Sequence, residues 1–225
     1  MKILIVEDEP ALLDTIAEYL AAGGHICEKA ATFFVAEDKI AAYTYDVAIL
    51  DIILPDGNGL DLLKMIKKMH PETGVLIVSA KNSLDDKLAG LDLGSDDYIT
   101  KPFHLGELNS RINAVLRRKM FNGNSMVVYH EISIDTGAKE VMIHDRVLNL
   151  TRKEYDLLMY FVANKNRVLT RESIAEHLCG DYIDVADNFD FVYAHVKNLR
   201  KKIKEAGSND YVKTVYGIGY KFSDK

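Results

Sequence analysis

The feature that most constrains this chain is an alternation. Over residues 1–121, short apolar runs trade places with segments whose apolar residues recur every three or four positions. Ile3-Leu4-Ile5-Val6, Val47-Ala48-Ile49-Leu50 and Val75-Leu76-Ile77-Val78 have the length of strands. Their nearly continuous apolar character predicts strands buried on both faces. Residues 25–28 and 97–100 predict two more. Between the runs, Leu12, Leu13, Ile16, Ala17 and Leu20 share one helical face. Helices are also predicted over 33–43, 60–69, 84–93 and 105–119. Leu105, Leu108, Ile112, Val115 and Leu116 mark the buried stripe of the last. Five strand–helix units of this kind predict an α/β, doubly wound, five-stranded parallel sheet with helices on both faces.

The alternation stops near Met120-Phe121-Asn122-Gly123-Asn124-Ser125, a short polar stretch with a glycine. The expected organisation is a first domain over 1–121, a linker over 122–125 and a second domain over 126–225. The second half opens with short β-rich pieces at 127–129, 131–134, 140–143 and 147–150. Helical patterns follow at 152–164, 171–178 and 187–205. The chain closes with a strand at 212–215, the turn Gly217-Ile218-Gly219 and a strand at 220–222. A small sheet, three helices and a final hairpin predict an α+β winged-helix domain. Both glycines of the turn are read as serving a tight bend with unusual backbone angles.

Composition narrows the class. No apolar run approaches the ~18 residues of a membrane span, and the start turns acidic too soon for a signal peptide. Two cysteines, Cys27 and Cys179, match no metal-ligand spacing. The expectation is a reduced, cytoplasmic setting with no membrane contact. A net charge of -6 speaks at first against nucleic acid. Yet from 195 to 221 the chain holds Lys197, Arg200, Lys201, Lys202, Lys204, Lys213 and Lys221 against Glu205 and Asp210 alone. It is this local potential that a phosphate backbone feels.

In open α/β sheets the functional site lies at the carboxyl ends of the strands. There the sequence sets Glu7 and Asp8 after the first strand, Asp51 at the end of the third, Ser79 after the fourth and Lys101 after the fifth. Like charges ~4 Å apart repel by roughly 4 kcal/mol at an effective dielectric near 20. A hard divalent cation such as Mg²⁺ relieves that repulsion and brings a phosphate oxygen with it. Lys101 is then a second counter-charge, Ser79 a hydrogen-bond donor and Asp51 a candidate nucleophile forming an acyl phosphate. Singly, each has a bland reading as a solvated strand end; the joint pattern carries the argument.

That pattern resembles the receiver domain of bacterial two-component response regulators. The matching stretches are Ile3 to Pro10, Asp51-Ile52-Ile53-Leu54-Pro55-Asp56-Gly57-Asn58-Gly59, Val78-Ser79-Ala80, and Gly94 to Phe103 including Tyr98 and Lys101. The resemblance implies a flavodoxin-like fold and Asp51 as phospho-acceptor. It implies Mg²⁺ held by Asp8, Asp51 and the backbone carbonyl of Ile53, with Glu7 acting through water. Lys101 would contact the phosphoryl group, and Ser79 with Tyr98 would form the switch. A sensor histidine kinase is the implied phosphoryl donor. Resemblance to the OmpR/PhoB subfamily implies a phosphorylation-linked homodimer through a face carrying Lys87, Asp92, Asp96, Asp97, Glu107, Arg111 and Arg118, with Lys87–Glu107 and Asp97–Arg111 as the expected pairs. Asn113 departs from the basic residue common at its position.

The second half is similar to the winged-helix effector domain of the same subfamily over 126–223. The stretches are Leu150 to Leu158, Arg167 to Glu172, His195-Val196-Lys197-Asn198-Leu199-Arg200-Lys201-Lys202-Ile203, and Thr214 to Tyr220. On the 187–205 helix, Phe191, Ala194, Leu199 and Ile203 are read as the buried side. His195, Lys197, Asn198, Arg200, Lys201 and Lys202 are read as the face for double-stranded promoter DNA. Tyr216, Gly217 and Gly219 would form the wing. Tyr216 stands where the family commonly has Arg, and Cys179 where it commonly has Trp. RNA polymerase is a further partner that promoter control implies. Two other functions fit parts of the pattern: a DNA-binding regulator indifferent to phosphorylation, and an aspartate-nucleophile phosphohydrolase. The latter lacks its second Asp, since Ile53 stands two residues after Asp51.

Overall fold

The structure is a computed structural model describing residues 1–80, 88, 90–121, 123–180 and 189–224. The chain divides into two compact units, Met1–Gly123 and Asn124–Lys225. Among the described residues no helix is long and apolar enough to cross a membrane.

In the first unit five strands, β1 (Lys2–Val6), β2 (Ile26–Ala30), β3 (Val47–Asp51), β6 (Gly74–Ser79) and β7 (Asp97–Thr100), form one sheet in the order β2-β1-β3-β6-β7. All four pairings are parallel. Alternation along the strands divides the core in two. Leu4, Val6, Ala48, Leu50, Val75 and Ile77 pack with helices α2 (Phe33–Ala42) and α3 (Gly59–Met69). Ile3, Ile5, Val47, Ile49, Leu76 and Val78 pack with α1 (Pro10–Gly23) and α4 (Leu105–Phe121). Period-two side chains on strands coated by helices on both faces can be buried in no other way.

Helix starts follow local chemistry. Pro10 opens α1, Thr32 caps α2 through the Val35 N–H, and Asn58 caps α3 through the Leu60 N–H. A two-stranded hairpin, β4 (Ile53–Leu54) with β5 (Gly57–Asn58), leads from β3 into α3. Half of the predicted 84–93 helix falls outside the described residues; Leu88, Gly90, Leu91 and Asp92 are helical.

The second unit holds a four-stranded antiparallel sheet and a three-stranded one. The first comprises β8 (Met126–Tyr129), β9 (Ile132–Asp135), β10 (Glu140–Ile143) and β11 (Arg146–Val147). The second comprises β12 (Val168–Thr170), β13 (Val212–Val215) and β14 (Gly219–Phe222), in the order β12-β14-β13. The helices are α5 (Arg152–Ala163), α6 (Arg171–Cys179) and α7 (Asp190–Glu205). The strand expected at 147–150 is found at Arg146–Val147, and the Leu148 N–H still donates to the Val141 carbonyl at 2.7 Å before the chain runs on to the Thr151 capping box of α5.

The register expected for α7 needs correction. Its buried residues are Val192, Val196, Leu199 and Ile203, while Ala194 is exposed and Phe191 half-buried. The spacing 192-196-199-203 is an unbroken helical stripe, and branched aliphatic side chains fill it where the larger Phe191 does not.

Candidate functional site

The loops after β1 and β3 bring Glu7, Asp8 and Asp51 together, with carboxylate oxygens all within 4.8 Å of one another. Glu7 and Asp51 are buried, Asp8 exposed. Lys101, after β7, donates from Nζ to Asp51 Oδ2 at 2.6 Å and to the Glu7 carboxylate at 2.7 Å. The Ile53 N–H donates to Asp51 Oδ1 at 3.0 Å, so each Asp51 oxygen faces a proton donor. Burial pushes the Glu7 carboxyl up, against the pull of Lys101. Burial also opposes charge on Lys101, but its bonds to Asp51 and Glu7 outweigh this and hold the ammonium above its ordinary value. Two buried carboxylates and one ammonium leave the pocket net negative even before Asp8 is counted. Hard oxygen donors at this spacing fit a divalent cation of the Mg²⁺ type, with Ile53 exposed beside them.

Ser79 ends β6 and is fully buried; its carbonyl accepts from the Lys101 N–H at 2.9 Å. That bond ties the strand end that carries the hydroxyl to the residue that carries the ammonium. Tyr98 is buried in the face shared with α2 and α3. The loop below Asp51 is anchored twice. Asp56 accepts from the Phe33 N–H at 2.7 Å and the Phe34 N–H at 3.1 Å, and a Cβ on Gly59 would sit 1.9 Å from the Asp51 carbonyl. Asp56 lay inside the quoted motif but had no assigned role. Its part depends on where α2 begins, and motif spacing does not reveal that.

The charged face of the first unit is already engaged within the chain. Arg111 contacts Asp97 at 3.1 Å and Glu107 at 2.8 Å. The Asp96 carboxylate accepts from Lys67 and the Val75 N–H, both at 2.8 Å, and pairs with Lys119 at 3.3 Å. Arg118 donates to the Asp96 carbonyl at 3.0 Å. Asp92 and Asn113 are exposed, and Lys87 lies outside the described residues.

On α7, Lys197, Asn198 and Lys201 are exposed and His195 half-buried. Burial and the nearby Lys153 keep the His195 imidazole below its ordinary pKa. Lys202 turns elsewhere. It donates to the buried Glu154 at 2.6 Å and to the Asn149 carbonyl at 3.0 Å. Glu154 also closes the capping box with Thr151, a Thr-x-x-Glu pattern legible in the sequence. Arg200 is paired with Asp210. Tyr193, absent from the sequence reading, is an exposed aromatic on the same helix.

At the hairpin tip Tyr216 is 92% exposed, and Gly217 has φ 74°, in the left-handed region that favours glycine. Gly219 has another reason: a Cβ there would meet the Leu169 carbonyl at 2.0 Å. The expectation that both glycines serve turn angles is corrected for Gly219, where close pairing of β12 with β14 excludes a side chain.

With this geometry in view, residues 3–113 match the family described as response regulator receiver domain, and residues 145–222 match that described as transcriptional regulatory protein, C terminal. The response regulator ArlR of Staphylococcus haemolyticus is 38% identical over 218 residues, 97% of each chain. The transcriptional regulatory protein CiaR of Streptococcus pneumoniae is 36% identical over 228 residues, 100% of this chain and 99% of that one. Among solved structures, a CheY-like response regulator receiver domain protein from Methanospirillum hungatei is 34% identical, with TM-score 0.52, covering 54% of this chain and 98% of its own.

Proposed function

The chain belongs to the two-component response regulators of the OmpR/PhoB type, a receiver domain joined to a DNA-binding regulatory domain, and from this premise we propose that it is switched by phosphorylation of Asp51. The donor is the phosphohistidine of a sensor histidine kinase. An Asp51 oxygen attacks phosphorus, the P–N bond breaks with its electron pair going to the imidazole, and an aspartyl phosphate forms. Asp8, Asp51 and the Ile53 carbonyl would hold Mg²⁺, with Glu7 acting through water; the ion supplies charge neutralisation at the phosphoryl oxygens. Lys101 leaves Glu7 for a phosphoryl oxygen, and the Ser79 hydroxyl donates to another. Tyr98 packs behind it and passes the change to the α4 face.

That face forms a two-fold dimer, in which Arg111 exchanges its in-chain partner Asp97 for Asp97 of a second copy and Glu107 passes from Arg111 to Lys87 of that copy. Such an exchange replaces like with like, so dimerisation depends on the phosphorylated arrangement rather than on new charge. The second unit presents α7 to the major groove of promoter DNA and the Tyr216–Gly219 tip to the adjoining backbone, with RNA polymerase as the downstream partner.

The observation that supports this reading is Lys101 bridging Glu7 and Asp51 inside a cluster of three carboxylates. Intact mass after incubation with a small acyl phosphate and Mg²⁺ tests it. The native chain should gain one phosphoryl group, and Asp51→Asn none while keeping its fold. Gain in neither, even with kinase present, would leave a DNA-binding regulator indifferent to phosphorylation.

A further inference from the structure

Arg200 sits amid the exposed cations of α7, yet its guanidinium is engaged inside the unit. Nε donates to Asp210 at 3.1 Å, Nη2 donates to the same carboxylate, and Nη1 lies 3.5 Å from Thr214 Oγ1. Asp210 leads into β13 and Thr214 belongs to it, so one planar group ties α7 to the first strand of the hairpin. Arg200, Lys197, Arg171, Tyr193, Thr214 and Tyr220 line a cleft of about 370 Å³ between these elements. Lys201 is the contrast, 69% exposed and only loosely paired with Glu205 at 3.8 Å.

Both members of the Arg200–Asp210 pair are about one-third exposed, at 37% and 35%. A pair so placed contributes little to stability. A bidentate guanidinium–carboxylate pair does fix orientation as well as distance. The spacing of helix and hairpin decides whether both can meet one duplex in register.

Resting on the reading of the second unit as the DNA-binding one, we propose that Asp210 is a positioning residue for sequence-selective DNA recognition. Its pair with Arg200 sets the angle between α7 and the hairpin, and Arg200 acts as a strut rather than as a phosphate or base contact.

The test uses the phosphorylated full chain. A preferred duplex is first enriched from a random-sequence pool by the native protein, and affinities for it and for a shuffled duplex are then measured across salt concentrations. Asp210→Ala should lower the ratio of the two affinities by about tenfold, the scale of one misread base pair. Affinity for the shuffled duplex should stay or rise. Arg200→Lys, which keeps the charge and loses the fork, should do the same, and the double variant should be no worse than either single one. Unfolding midpoints should stay within a few degrees of the native value. Equal gains in both affinities for Asp210→Ala would make Asp210 a mere charge mask and overturn the proposal. So would a native ratio in Arg200→Lys, or a large fall in the unfolding midpoint, which would assign the pair to folding. Failure of the native chain to enrich any duplex would instead overturn the DNA-binding reading beneath it.

Discussion

The two units handle charge in opposite ways. In the first, unlike charges are drawn below the surface and set against one another: Lys101 is 19% exposed and its partners Glu7 and Asp51 2% and 7%. In the second, the cations Lys197 and Lys201 stand in solvent along one helix. The contrast suits the two ligands of the proposed function. A single small phosphoryl group needs several groups converging on one point, where partial burial makes each interaction stronger than in water. A duplex is a long polyanion, and a row of cations on a helix meets it by releasing counterions without any convergence. Lys202 crosses the divide: it lies on the basic helix but is bound to buried Glu154 as Lys101 is bound to Asp51.

The comparison breaks most sharply at Lys101. Lys101→Ala leaves two buried carboxylates facing each other, a loss of about 3 kcal/mol that Mg²⁺ should partly restore. Amide exchange of the β1 and β3 strands with and without Mg²⁺ reads this directly; unchanged protection would mean that the pocket is not held by its charges. Glu154→Ala comes next, at about 2 kcal/mol, since it removes both the α5 capping box and the partner of Lys202. Exchange in α5 should quicken while the first unit stays as it was.

A smaller effect concerns Glu131. Partial burial works against its charge, but donors on Ser208, Asn209 and Tyr211 win and hold its pKa at about 2. A depressed folded pKa means that the stabilisation is complete above the ordinary value of 4.5 and fades as pH falls from there towards 2. Glu131→Gln should flatten this acid limb for the second unit, with a loss of about 1 kcal/mol at neutral pH. An identical acid limb in the variant would exclude it. The smallest expected change sharpens the contrast among the lysines. Lys197→Ala and Lys201→Ala should each lower the salt slope of DNA binding by about one, whereas Lys202→Ala leaves the slope and lowers stability instead. Equal slopes for all three would place Lys202 on DNA after all.

The parallel sheet was legible because its strands are apolar runs of the right length, and the acidic pocket because Asp8, Asp51 and Lys101 close those strands. The face of α7 was misread because two apolar stripes overlap there. Only packing chooses Val192 and Val196 over Phe191 and Ala194. Gly219 looked like a turn residue because its need, a carbonyl on β12, lies fifty residues away in the chain.

Periodicity, capping residues and glycine punctuation are local properties, so the sequence by itself determined the strand–helix alternation, the closing hairpin and which residue types end each strand. The tertiary structure alone decided which charges cancel. It joined Lys101 to Glu7 across the sheet, Lys202 to Glu154 across two helices and Arg200 to Asp210 beside the hairpin. Electrostatic pairing depends on distance in space and on burial, and neither is contained in the spacing of residues along a chain.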